Sequence, residues 1–180
     1  CPGVLATLGA VATKASIQAV FGAPRSCTTN ISVVDHHGNM VIMTTTLLSR
    51  FGSRYVAPTS GILLNNGINW FDPRPDRPNS IAAGKKPLSN MCPMIATKQG
   101  RPVFGLGASG GRKILPAVFQ LASYINDFNM DLDTALDEPR FDVSGINKII
   151  YDPRFDMTVQ KSLEKVSSAE PWFPSAFPSM

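Results

Sequence analysis

Two adjacent threonines, Thr28 and Thr29, follow Cys27 and open the run Asn30-Ile31-Ser32-Val33-Val34-Asp35. A threonine inside a chain is a weak nucleophile, because nothing beside it takes its proton. As the first residue of a chain it becomes a good one, since its own α-amino group can serve as base. That amine has a reference pKa of roughly 7.7–8.0, so part of it is neutral near pH 7. The stretch therefore admits a chain cut before Thr28, with Thr28 then doing the chemistry. It also admits a β-branched pair that merely opens a strand. A second supply of hydroxyls comes from Thr44, Thr45 and Thr46. In a strand Thr44 and Thr46 share a face and Thr45 points away, so strand pairing would bring one of them back beside Thr28.

The other chemistry-bearing stretch is Gly105-Leu106-Gly107-Ala108-Ser109-Gly110-Gly111, which has three readings. Gly105, Gly107 and Gly110 match GxGxxG, but a dinucleotide site also needs a βαβ unit with an acid ending the next strand. Here Asp127-Phe128-Asn129-Met130-Asp131 reads as a loop. Gly107-Ala108-Ser109-Gly110-Gly111 matches GxSxG, the nucleophile elbow of an esterase-type hydrolase with Ser109 attacking. That fold takes its base from a downstream histidine, and the only histidines, His36 and His37, precede Ser109. Finally, Gly110 and Gly111 would present backbone N–H groups at a helix N-terminus, where negative charge is favoured. Such a pair can bind the oxyanion of a tetrahedral intermediate; a tightly packed turn would need the same glycines.

These residues need elements to hold them. Residues 30–35 and 39–47 read as a hairpin turning at His36-His37-Gly38-Asn39, which makes both histidines exposed turn residues. Residues 61–65 read as a short strand ended by the turn pair Asn66-Gly67. Residues 72–87 hold Pro73, Pro75, Pro78 and Pro87 among four basic side chains and read as an extended loop. Residues 94–97 and 102–105 form a second hairpin. Apolar side chains at helical spacing from Ile114 to Ile125 predict a helix over 112–128 that starts at Arg112 or Lys113, since Pro116 fits only in a first turn. Shorter elements follow: a helix over 133–137, a strand over 147–151 and a helix over 158–166.

At 180 residues, 43% hydrophobic and 17% charged, the chain suits one packed domain. Its +4 net charge is scattered, without the basic, aromatic-laced runs of a nucleic-acid binder. Cys1, Cys27 and Cys92 lack the spacing of a zinc site or a disulfide framework. No stretch is long and apolar enough to span a membrane. The start at Cys1 and the aromatic end Pro171-Trp172-Phe173-Pro174 raise the expectation of a fragment. On that reading residues 1–27 are the tail of an upstream region and 28–180 a catalytic region shortened at its C-terminus.

Taken in order, these pieces resemble the small subunit of gamma-glutamyltranspeptidase, an N-terminal-nucleophile hydrolase. The matching residues are Thr28-Thr29, Ser32-Val33-Val34-Asp35, Gly38-Asn39, Thr46, Phe51-Gly52 and Ser60 through Asn66. They continue with Lys86-Pro87-Leu88-Ser89, Met91, Pro93, Gly107, Gly110-Gly111 and Pro139-Arg140-Phe141. The resemblance implies an α+β fold, a four-layer α-β-β-α sandwich of which this chain supplies part. It implies a proenzyme that cuts itself between Cys27 and Thr28, with a large subunit from the same precursor as partner. Thr28 would be the nucleophile, Thr46 the hydroxyl supporting its freed amine, Gly110 and Gly111 the oxyanion hole. Ser89 would hold the α-carboxylate of a γ-glutamyl substrate. An acyl-enzyme on Thr28 would pass its acyl group to water or to an amine, with no metal or organic cofactor. The family also favours a periplasmic or secreted setting, which these residues neither require nor forbid.

Four positions depart from the family pattern. Asn90 replaces a second serine, and Leu48 replaces an asparagine. Gly67 and Trp70 stand where a glutamine and an aspartate hold the substrate α-amino group. The resemblance thus carries the threonine machinery further than it carries γ-glutamyl recognition. An amide with a different acyl part, acidic or aromatic, enters the expectation; Trp70 would either line an apolar acyl pocket or serve ordinary packing. Cleavage before Cys27, a Ser109 esterase and a non-catalytic homologue are the rival readings.

Overall fold

The computed structural model describes residues 27–145 and 147–171. The expectations for residues 1–26 and for the aromatic stretch from Trp172 onward lie outside these. The described part is α+β. Strands β1 (Thr28–Val34) and β2 (Met40–Thr46) pair antiparallel, with Thr28 opposite Thr46 and Asn30 opposite Thr44. Asp35 closes the hairpin. Its carboxylate accepts from the backbone N–H of His37 and Asn39 and from the Asn39 amide, at 2.7–2.9 Å. The side-chain bond from Asn39, then its backbone bond, holds that carboxyl below the usual range. His36 and His37 are exposed in this turn, their ring centroids 3.7 Å apart and the rings tilted by 44°.

Strands β3 (Met94–Lys98) and β4 (Arg101–Leu106) form the second antiparallel hairpin, which packs against β2. Helix α1 (Ile114–Asn126) follows and buries Ile114, Ala117, Val118 and Leu121. With Leu106, Ala108 and Ala135 these side chains make the core. Helices α2 (Leu132–Asp137) and α3 (Met157–Val166) are each capped by an aspartate, Asp131 and Asp156, accepting first-turn N–H groups. A three-stranded sheet completes the described residues, in the order β5 (Phe141–Asp142), β6 (Ile149–Tyr151), β7 (Ala169–Pro171). Buried Gln120 of α1 ties β5 to the helix. Its amide donates to the Phe141 carbonyl at 2.7 Å and accepts from the Phe141 N–H at 2.9 Å.

Several expectations need correction. Residues 61–65 do not form a strand; Val56 and Leu63 make an isolated bridge, flanked by backbone hydrogen bonds from the Leu64 N–H to Tyr55 and from the Ala57 N–H to Ile62 at 2.9 Å. The 112–128 helix begins at Ile114, after a 3-10 turn over Gly111–Lys113, since Gly110 and Gly111 sit at φ 148° and 62°. It ends at Asn126, where Asp127 and Phe128 both donate to the Ser123 carbonyl and Asn129 turns left-handed. The 147–151 strand is shortened to β6 by left-handed Asn147. Strands β5 and β7 and a 3-10 turn over Gly67–Trp70 had no periodicity to announce them. The antiparallel setting of β4 also removes two readings of the glycine turn. Neither a dinucleotide fold nor an α/β-hydrolase elbow is built on an antiparallel hairpin; both need a parallel sheet.

Candidate active site

Pairing of β1 with β2 sets Thr28 against Thr46 through side chains as well as backbone. The Thr28 hydroxyl donates to Thr46 Oγ1 at 3.0 Å. The Thr46 hydroxyl in turn donates to the carbonyl oxygen of Cys27 at 2.9 Å. Thr46 Oγ1 also accepts from the Leu48 N–H at 2.9 Å, so this buried hydroxyl uses one donor and two acceptor positions. The Cys27 carbonyl receives a second donor, the Leu47 N–H at 3.1 Å. Two hydrogen bonds therefore converge on the carbonyl oxygen of the Cys27–Thr28 peptide bond. Both come from the end of β2, where the ladder continues one rung past the side-chain pair.

The glycine turn lies beside this strand. Gly107 abuts Asn30 so closely that a Cβ there would fall 2.0 Å from the Asn30 side-chain oxygen. Asn30 is itself fixed, accepting from the Thr44 hydroxyl at 3.0 Å and donating to Ser32 at 3.1 Å. Beyond Gly107 the turn reaches Gly110 and Gly111, whose N–H groups precede α1, where intrahelical acceptors run out. Asn90 is braced against the turn: its amide donates to the Gly111 carbonyl. Ser89, next to it, is exposed, and its hydroxyl accepts from the Met91 N–H at 3.2 Å. Ser109 sits within the turn and not at the end of a central parallel strand.

A chain of hydrogen bonds links the end of β2 to these residues. Leu48 takes a left-handed φ of 67°. Asn66 then clasps the next residue, accepting from the Ser49 N–H at 3.0 Å and donating to the Ser49 hydroxyl at 2.8 Å. Gly67 follows, its N–H donating to the Asn65 side chain, and starts the 3-10 turn that delivers half-buried Trp70. Asn79 bridges from there, donating to the Trp70 carbonyl at 2.7 Å and accepting from the Leu88 N–H at 3.0 Å. Trp70, Asn79, Leu88, Ser89, Asn90 and Arg112 line one groove of about 440 Å³. Asp72 does not reach it as a free carboxylate. The Arg74 guanidinium holds it in two side-chain bonds of 2.9 and 2.7 Å and pulls its pKa down to about 2.

The structure thus assembles Thr28, Thr46 and Cys27 in direct contact. It sets Trp70, Ser89 and Asn90 around one groove that abuts the glycine turn, with Gly67 opening the 3-10 turn that ends at Trp70. Three contributors escaped the sequence reading. The Leu47 N–H carries no side-chain signal at all. Asn79 sits in a proline-rich loop that reads as surface. Arg112 was counted only as a candidate helix start. Among the described residues no group of three His, Cys, Asp or Glu side chains converges as metal ligands would. Nor is any described helix long and apolar enough to cross a membrane.

A family model described as gamma-glutamyltranspeptidase matches residues 10–170. A glutathione hydrolase proenzyme from Bacillus subtilis is 36% identical over 125 residues, 69% of this chain and 21% of that protein. An acylase ACY 1 proenzyme from a Pseudomonas species is 38% identical over 132 residues, 73% of this chain and 24% of that protein. The chain therefore spans between a fifth and a quarter of these relatives' length. Among solved structures, a Helicobacter pylori gamma-glutamyltranspeptidase aligns with a TM-score of 0.70 at 29% identity, covering 83% of this chain and 87% of that one.

Proposed function

Since the chain belongs to the gamma-glutamyltranspeptidase family, we propose that it is the nucleophile-bearing part of a self-processing threonine amidase or acyltransferase. The observation that carries the proposal is the hydroxyl pair at the Cys27 carbonyl. Attack by Thr28 Oγ1 on the Cys27 carbonyl carbon forms a C–O bond. The Thr28 proton moves to Thr46 Oγ1 as the Thr46 proton moves to the carbonyl oxygen, whose developing charge the Leu47 N–H also meets. Breaking the C–N bond, with a proton returned to the nitrogen, leaves an ester on Thr28 Oγ1 and a free Thr28 amine. Water then releases Cys27 as a carboxylate.

In the mature protein that amine is the base for the same hydroxyl. Thr28 attacks a substrate amide, Gly110 and Gly111 supply N–H donors to the oxyanion, and the amine product leaves. Water or a second amine then takes the acyl group from Thr28. The substrate is a γ-glutamyl or related acyl amide, as the names of the hydrolase and acylase relatives indicate for those proteins. The large subunit, supplied by the same precursor, completes the site; the relatives are proenzymes four to five times longer than the matched region.

N-terminal sequencing and intact mass of the full-length product test this directly. The expected result is two chains, the smaller beginning at Thr28, and a single uncut chain for Thr28→Ala. A smaller chain starting at Cys27, or full activity in an uncut protein, overturns it.

A further inference from the structure

Alternation along β1 puts Thr28, Asn30 and Ser32 on one face, and the register sets Thr46, Thr44 and Ile42 opposite them on β2. Strand β4 and the glycine turn lie over that face. A Cβ on Gly105 would collide with the Ile42 side chain, and one on Gly107 with the Asn30 amide. Neither glycine has a positive φ, so close approach is what requires them. Asn30 is held from both strands. Its oxygen accepts from the Thr44 hydroxyl at 3.0 Å and its nitrogen donates to Ser32 at 3.1 Å.

Two carbonyls meet two different sets of donors. In the precursor the Cys27 carbonyl accepts from the Thr46 hydroxyl and the Leu47 N–H, both at the end of β2. On the amidase reading above, a substrate carbonyl meets Gly110 and Gly111, a few residues beyond Gly107. Only the second set depends on where Gly107 sits. Resting on that reading, we propose that Asn30 is a positioning residue for amide turnover and not for self-cleavage. It sets the height of the glycine turn over β1, and with it the distance from the oxyanion donors to the Thr28 oxygen. Such donors act only when aimed at the point where charge develops.

The test uses the full-length protein and three variants: Asn30→Ala, Gly107→Ala and the two combined. Self-cleavage is followed on a denaturing gel. Turnover is followed with γ-glutamyl or glutaryl p-nitroanilide, whichever the parent cleaves faster. Asn30→Ala should lower kcat about tenfold and Gly107→Ala about 10²-fold, the scale for a misplacement of about 1 Å, with KM little changed. The double variant should recover to within about tenfold of the parent, because the new methyl enters space that the amide has left; contacting residues show such non-additivity. Asn30→Ala and the double variant should cut themselves at the parent rate. Self-cleavage slowed as much as turnover would make Asn30 a support of the hairpin and overturn the proposal. So would an unchanged kcat in Asn30→Ala, or a double variant no better than Gly107→Ala. In each of those cases a parent that cuts and turns over keeps the amidase reading standing. A parent that stays uncut, or cleaves neither amide, overturns both.

Discussion

Thr46 carries more than one role through a single oxygen. It passes a proton forward to the Cys27 carbonyl while accepting from Thr28 and from the Leu48 N–H. Thr46→Val keeps the shape and removes the relay. We expect self-cleavage to slow by about 10²–10³-fold, the range for loss of an oxyanion donor, with Thr46→Ser retaining most of the rate. A time course of the two chains on a denaturing gel gives the answer. Leu48 is the other informative residue. It takes a left-handed φ, which costs a branched side chain about 1–2 kcal/mol and would cost asparagine less. Leu48→Asn should therefore raise the melting temperature of the precursor; an unchanged or lower value would mean that packing of the leucine outweighs its strain. Alternation made a hydroxyl beside Thr28 legible in the sequence, from the face shared by Thr44 and Thr46, and the resemblance pointed to Thr46. The backbone donor of Leu47 was not, since any residue there offers the same N–H.

At the scale of elements, the groove is held by loops that one side chain joins. Asn79 ties the carbonyl of Trp70 to the N–H of Leu88, so Asn79→Leu frees both ends of the groove wall. The cost in stability should be about 0.5–1.5 kcal/mol, the net worth of an ordinary intramolecular hydrogen bond, since one of the two bonds is exposed and the other part-buried. KM for acyl amides should rise while the rate of self-cleavage stays near that of the parent. Equal damage to both steps would argue that Asn79 supports the whole fold and not the groove. The hairpins and α1 were readable because period-2 and period-3.6 patterns persist over many residues there. Trp70, Asn79 and Ser89 come together through turns with no period, and the pairing of β5 with β6 and β7 rests on strands of two or three residues. Contacts of that kind are decided by distant partners. The glycine turn was legible as a chemical candidate, but only the antiparallel pairing of β4 separated its readings.

For the whole molecule, the first hairpin is the exposed part of the design. Ile31 and Val33 on one face and Val34 on the other stay open to solvent, as do Val41 and Met43 of β2. On the two-subunit proposal these faces are covered by the rest of the precursor. The isolated 180-residue chain should then self-associate and show little turnover, and co-expression with the upstream region should restore a soluble, cut pair on gel filtration. Acid should loosen the C-terminal sheet. Burial tends to raise the Asp152 carboxyl, but hydrogen bonds and charge from Arg154 outweigh it and hold the pKa low. A depressed folded-state value stabilises above the unfolded value of about 3.9 and is lost as pH falls through the folded one. Arg154→Ala should remove part of that acid-limb dependence in a pH series of melting curves. The relay at Cys27 has a consequence of a different kind. Threonine hydroxyls and a peptide carbonyl do not titrate over ordinary pH, whereas the amine born from the cut does. Maturation should thus proceed at nearly one speed from mildly acidic to mildly alkaline solution, while turnover by the finished enzyme switches on with loss of the ammonium proton. A precursor ripened in an acidic fluid would be complete but silent, and would wake on reaching neutrality without any further covalent event.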